Sequence, residues 1–279
     1  MKSISKTIFL TILILFKMEA YNASENSFGV ASVIVSGKED AVLIDAQFTV
    51  SEAEIVAQEI IKSGKNLTGI YVSHGDPDFY FGLEVFKKYF PKVTAYASAA
   101  TIEHIKATAQ KKLEVWGERL GSNITSNIVL PQVLKNDFID LEGKKIEIVG
   151  LEEFPKRTFV WIPSIKTVLG GINIFGTSFH LWMADAQTTA IRSEWISILD
   201  QISALNPEIV IPAHANNNSD FSIAAVNHSK YYLQFYEEAL KNNKTSEALI
   251  STLKSKYENL TFETALIIGA KVNTGEMKW

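Results

Sequence analysis

The chain has 279 residues, of which 47% are hydrophobic and 21% charged, with a net charge of −4. That is enough apolar material for one large core, and its dispersed lysines and arginines leave no basic footprint for nucleic acid. With no cysteine, disulfides, thiol nucleophiles and thiolate metal ligands are excluded, leaving histidines and carboxylates as the strong ligand types.

Met1 to Lys6 followed by the apolar run Thr7 to Phe16 has the basic start and short hydrophobic core of an export signal. The run is too short to span a bilayer, so no integral membrane span is expected in the mature protein. Residues 1–19 are expected to be a signal peptide or N-terminal extension of a periplasmic or secreted protein. The alternative is a cytoplasmic protein in which Met18 to Ala23 already belongs to the first strand.

Phe28 to Val35 and Ala41 to Asp45 are rich in Val and Ile and flank the turn residues 36–40, which predicts a hairpin. A helix follows over Ser51 to Ser63, with Ser51 and Glu54 at capping-box spacing and Gly64 as its stop. Leu67 to Val72 predicts a buried strand that delivers the chain into Ser73-His74-Gly75-Asp76-Pro77-Asp78-Phe79-Tyr80-Phe81-Gly82. Alternate residues of an extended segment point the same way, so His74, Asp76 and Asp78 can converge at the carboxyl end of that strand. An ordinary turn would look similar, with Asp capping the next helix and Pro fixing φ.

Helix Leu83 to Phe90, strand Lys92 to Ala97 and a long helix from Ala99 to Leu120 come next. Strand-like runs then recur at Phe138 to Leu141, Lys145 to Val149, Thr158 to Ile162, Thr167 to Leu169 and Asn173 to Phe175. Their close spacing predicts antiparallel meander strands. Helix Ser193 to Leu205 leads into the strand Glu208 to Ile211 and then His214; helical segments Ser222 to Lys241, Ser246 to Tyr257 and Thr261 to Ile268 close the chain. Two strand groups with helices between them imply two sheets packed together with helices outside.

The run from Ser73 to Gly82 resembles the signature loop of the metallo-β-lactamase-fold hydrolases, Thr/Ser-His-x-His-x-Asp-His followed by Gly. His74 and Asp78 stand at the family's first His and its Asp, while Asp76 and Phe79 replace its second and third His. Val42-Leu43-Ile44-Asp45 and Ile209 to His214 are similar to the early strand ending in Asp and the late strand ending in the ligand His. The family's mid-chain His is missing from Leu151 to Arg157, and its bridging Gly-Asp corresponds to Gly170-Gly171, which disfavours a two-metal site.

The resemblance implies an α/β (α+β) fold of the αββα four-layer type over residues 20–216, with 217–279 a helical extension packed on the same domain. It implies one divalent metal ion, Zn with Mn or Fe tolerated, held by His74, Asp76, Asp78 and His214, with Asp78 and Asp76 catalytic. His180 and Asp185 are additional site candidates, being able to reach the cleft from the other half; their alternatives are a core histidine and a helix-terminal carboxylate. His104 and His228 are expected to be solvated or structural. Two functions are carried forward: a hydrolase of a small-molecule ester, lactone or amide using a metal-activated water, and a non-catalytic binding or scaffold protein with a degenerate metal site and no metal. Neither sequence nor resemblance names the substrate or the oligomeric state.

Overall fold

The computed structural model describes residues 16–169, 171–216 and 218–279. Apart from Phe16, the apolar run expected to direct export lies outside them. Lys17–Asn22 forms strand β1, antiparallel to β2 (Ala31–Ser36), so the sheet already begins inside the span 1–19.

The first sheet continues through β3 (Asp40–Ile44), β4 (Asn66–Tyr71), β5 (Thr94–Ala97) and the short β6 (Gln132–Val133), in that spatial order. From β3 onward its strands are parallel, because α1 (Val50–Ser63), then α2 (Pro77–Tyr80) and α3 (Leu83–Tyr89), then α4 (Ala99–Leu120) carry the chain back across one face. The second sheet has the expected meander, β7 (Phe138–Leu141), β8 (Lys144–Val149), β9 (Phe159–Ile162) and β10 (Thr167–Leu169), all antiparallel. Helix α5 (Thr189–Ala204) then returns the chain so that β11 (Ile209–Ile211) adds parallel to β10.

Strand side chains alternate between two buried layers, which is why these strands read as continuous apolar runs. Val33, Val35, Val42, Ile44 and Tyr71 meet Ile146, Ile148, Val160, Ile162 and Ile211 between the sheets. Ile34, Leu43, Ile70, Phe159 and Trp161 point outward to the helices. Side chains of α6 (Ala224–Asn242), α7 (Ser246–Lys256) and α8 (Glu263–Asn273) join that outer cluster, among them Tyr232, Leu253 and Leu266, so this extension shares one core with the preceding residues. The two sheets are also fastened at an edge: Glu142, in the β7–β8 turn, accepts the backbone N–H groups of Lys38, Glu39 and Asp40 in the β2–β3 turn.

Local differences from expectation have local causes. The α1 cap is Thr49, whose hydroxyl accepts from Glu52 N–H, so the Ser51–Glu54 capping box is displaced by two residues; Gly64 ends the helix at φ +69° as expected. Asn173 to Phe175 is not a strand of the sheet, because its hydrogen bonds go to the end of β11 and to Ser229: Ala213 N–H donates to Ile174 O, and Phe175 N–H to Ser229 Oγ.

Candidate functional site

Strand β4 ends at Tyr71 and releases Val72 to Asp76 across the open end of the first sheet. Asp45 anchors this loop, accepting Ser73 N–H at 2.7 Å and Ser73 Oγ–H at 2.8 Å from a left-handed backbone (φ +62°). Burial pushes its carboxyl up to about 7 against the pull of those two donors. Tyr71 OH and Thr158 Oγ1 lie 2.8 Å apart, and Thr158 Oγ1 donates to Ser73 O, so the loop is tied to the second sheet too. Pro77 sits in the first turn of α2, but the Asp76 side chain makes no capping hydrogen bond there, so the ordinary-turn role expected for it is not what occupies this carboxylate.

Asp76 instead forms an ion pair with the Lys112 ammonium, which reaches over from α4. Burial opposes ionisation of Asp76, but Lys112, with His74 and His104, outweighs it and holds the carboxyl below its ordinary range. His74 accepts Asp76 N–H on Nδ1 at 3.3 Å, which assigns its proton to Nε2. Burial keeps its imidazole neutral, down to about 3, so its 3.5 Å approach to the Asp76 carboxylate is not an ion pair.

His214 comes from the other half of the chain. It follows β11, bridges to Val30 just before β2 and to Phe175, and its ring stacks on those of Phe175 and Phe262. Its Nδ1–H donates to Phe28 O at 3.0 Å, and its Nε2 lies 3.3 Å from Asp78 Oδ2. Burial lowers the imidazole to about 4; burial and then the charge of Asp76 raise the Asp78 carboxyl far above its usual range. Burial thus disfavours the charged form of both partners.

The four expected ligands thus fall into two pairs. Phe79 stands between the imidazoles, its ring centroid 5.4 Å from His74 and 5.8 Å from His214, both edge-on. Among the described residues no group of three or more His, Asp or Glu side chains is placed to hold a metal ion. The donor set does not fit the divalent ion expected from the resemblance: one carboxylate carries an ammonium, the other a histidine, and a phenyl ring separates the halves.

Of the two additional candidates, Asp185 lines a cavity at this mouth and accepts indole N–H groups from Trp182 (2.7 Å) and Trp279 (2.8 Å). Burial raises it to about 6. His180 is turned away, its Nδ1 3.0 Å from Tyr232 OH on α6, because its backbone N–H is bonded to Thr261 O under the C-terminal helices. Three residues carry the site without a sequence signal: Lys112, His104 and Arg157. His104 was expected to be solvated or structural and Lys112 belongs to no motif; the docking of α4 across the mouth turns both inward, with His104 Nε2 3.4 Å from Lys112 Nζ.

Two cavities meet at Asp76. One, of about 130 Å³, is walled by aromatic groups including Phe28, Phe48, Trp116, Trp182 and Phe262, with Asp78, Lys112 and His214 in its lining. The other, of about 480 Å³, is less apolar than the first and is lined by His74, Thr101, His104, Arg157 and Asp185 among others.

Two mixed sheets face to face inside helical layers, with histidine and aspartate loops where strands of both sheets end, define the metallo-β-lactamase class of αββα proteins. The chain belongs to that superfamily: the sequence model described as "Metallo-beta-lactamase superfamily" matches residues 26–162. Among solved structures it is similar to a metallo-β-lactamase from Pontibacter korlensis, at 18% identity and TM-score 0.54, over 84% of this chain and 97% of that one. It is also similar to the stereoselective inverting sec-alkylsulfatase Pisa1 from Pseudomonas sp., at 15% identity and TM-score 0.61, over 88% of this chain but 47% of that one. The DIM-1 metallo-β-lactamase matches at 18% identity and TM-score 0.50, over 81% and 94% of the two chains. No curated protein matches it in sequence.

Proposed function

We propose that this chain is a metal-independent member of the superfamily that binds a small molecule carrying an apolar ring in the cleft at Asp76, the second of the two functions expected from sequence. The observation that carries it is the Lys112–Asp76 ion pair. A buried carboxylate needs a compensating cation, and here a side chain provides it where the resemblance implied a metal. The aromatic cavity, about 130 Å³, is close to the roughly 150 Å³ of an apolar protein cavity that accepts benzene. That supports one ring as the apolar part of the ligand.

A second reading, the first of the two expected from sequence, is a metal-dependent hydrolase of a small ester, lactone or amide. His214 favours it, since an imidazole with Nδ1–H fixed on a backbone carbonyl and Nε2 facing a carboxylate resembles a pre-oriented ligand. Metal analysis of protein purified without added metal separates the two. Less than about a tenth of an equivalent, with no rise in melting temperature on adding Zn, supports the first. Near-stoichiometric metal with turnover of a lactone and ester panel supports the second and overturns the first.

A further inference from the structure

Arg157 is buried, 6% exposed, and leads into β9 at the wall of the larger cavity. Its guanidinium carbon lies 4.2 Å over the Trp195 ring, and its Nη1 has no hydrogen-bond partner among the described residues. The stack covers a face of the guanidinium but leaves its N–H donors, which lie in the plane, unsatisfied. Arg192 shows how the same chain satisfies a buried guanidinium: its Nε donates to Glu237, and its Nη1 to Ala186 O and Asn273 Oδ1. Nothing equivalent serves Arg157.

The acidic groups around that cavity are otherwise engaged. Asp76 holds Lys112, Asp185 holds the two indoles, and Glu194 is on the exposed rim. Burial disfavours the charge of Arg157, and these three carboxylates only offset it from a distance. Arg157 lines the 480 Å³ cavity, and a buried cation with no carboxylate hydrogen-bonded to it among the described residues is a site for an anion from outside the chain.

We propose that Arg157 receives an oxyanion of the ligand, carboxylate or sulfonate in type, in the larger of the two cavities. Asp76 lines both cavities, so the ligand class is a ring joined by a short linker to an anionic group, the ring lying in the aromatic cavity. The ring half rests on the function proposed above, whereas the anion half rests on Arg157 alone.

The test uses 4-phenylbutyrate, its neutral carboxamide and 4-phenylbutane-1-sulfonate, titrated calorimetrically into the parent, Arg157→Gln and Arg157→Lys. The carboxylate is expected to bind the parent at least about tenfold more tightly than the carboxamide, the size of a charge-assisted hydrogen bond. Arg157→Gln should abolish that preference while still binding the carboxamide, which also reports that the fold survives. Arg157→Lys should keep part of it, having charge without the planar fork. The sulfonate arm decides which oxyanion geometry is preferred. Acetate, too small to need the ring cavity, separates the two proposals: it should raise the melting temperature of the parent and not of Arg157→Gln. Carboxamide binding without any carboxylate or sulfonate preference, or a preference that persists in Arg157→Gln, overturns the Arg157 assignment. Failure of every phenyl probe with a retained acetate effect overturns the ring cavity instead, and loss of both overturns both.

Discussion

Lys112→Met removes the ammonium from Asp76 and keeps an apolar stem of similar length. Both side chains are largely out of solvent, 17% exposed for Lys112 and 14% for Asp76, so screening discounts the pair only modestly. Deleting one partner of a buried pair costs about 3–5 kcal/mol, because the remaining charge is stranded. Asp76 can escape by taking up a proton, which places the expected loss near 3 kcal/mol, a fall in melting temperature of roughly 6–12 °C for a chain of this size. In the parent the Asp76 carboxyl is held below its ordinary range. Its contribution is therefore present above the unfolded value of about 3.9 and lost as pH falls through the lower folded value. In the variant the largest opposing charge is gone and burial prevails, the folded value rises above the unfolded one, and the sign reverses: the loss is largest at pH 7.5 and shrinks toward pH 5. Thermal melts and urea titrations followed by circular dichroism at the two pH values read this directly. Asp76→Asn in the same chain should recover most of the loss, since both charges are then gone. A variant that melts within a degree of the parent at pH 7.5, or whose deficit does not depend on pH, would refute the argument that Lys112 compensates a buried carboxylate.

Phe79→His combined with Lys112→Met frees Asp76 and returns an imidazole between His74 and His214, so it should take up Zn where the parent does not; calorimetric titration with Zn checks it, and equal binding by both proteins counts against the donor-set argument. Gly82→Ala places a Cβ 1.8 Å from Ala46 O and 2.7 Å from Ala53 Cβ, a clash with backbone that should cost more than about 3 kcal/mol or prevent folding. Gly117→Ala, within α4 and with open space around it, should stabilise by about 0.5–1 kcal/mol in the same urea titration. Export through Thr7 to Phe16 remains a proposal from the sequence, and mass spectrometry of the mature N-terminus decides it, an intact Met1 in cytosolic protein being the adverse result.

The elements were legible because each is fixed by short-range patterning. β-branched runs gave the strands, and α4 was readable in full from Ala99 to Leu120 because Ser98 caps it and no proline breaks it before Gly121. β6 was not foreseen, since its two exposed residues, Gln132 and Val133, pair with β5 only because the chain passes there. The Thr49 cap was missed because two neighbouring hydroxyl residues are equivalent in sequence, and only backbone geometry chooses between them.

The sequence by itself determined the fold family, the loop carrying His74, Asp76 and Asp78, and the arrival of His214 from the other half, because adjacency along a strand and the order of strands fix those positions. It left open what these side chains do on meeting. That was decided by groups far away in the chain: Lys112 from α4 on Asp76, the Phe28 carbonyl on His214, and the Phe175 and Phe262 rings around its imidazole. Lys112 and Arg157 carry no local signal, since a lysine on an amphipathic helix and an arginine in a turn are ordinary surface residues until packing removes water from them. Burial is a property of the assembled layers, and burial is what turns an ordinary charge into one that must be answered by a partner or a ligand.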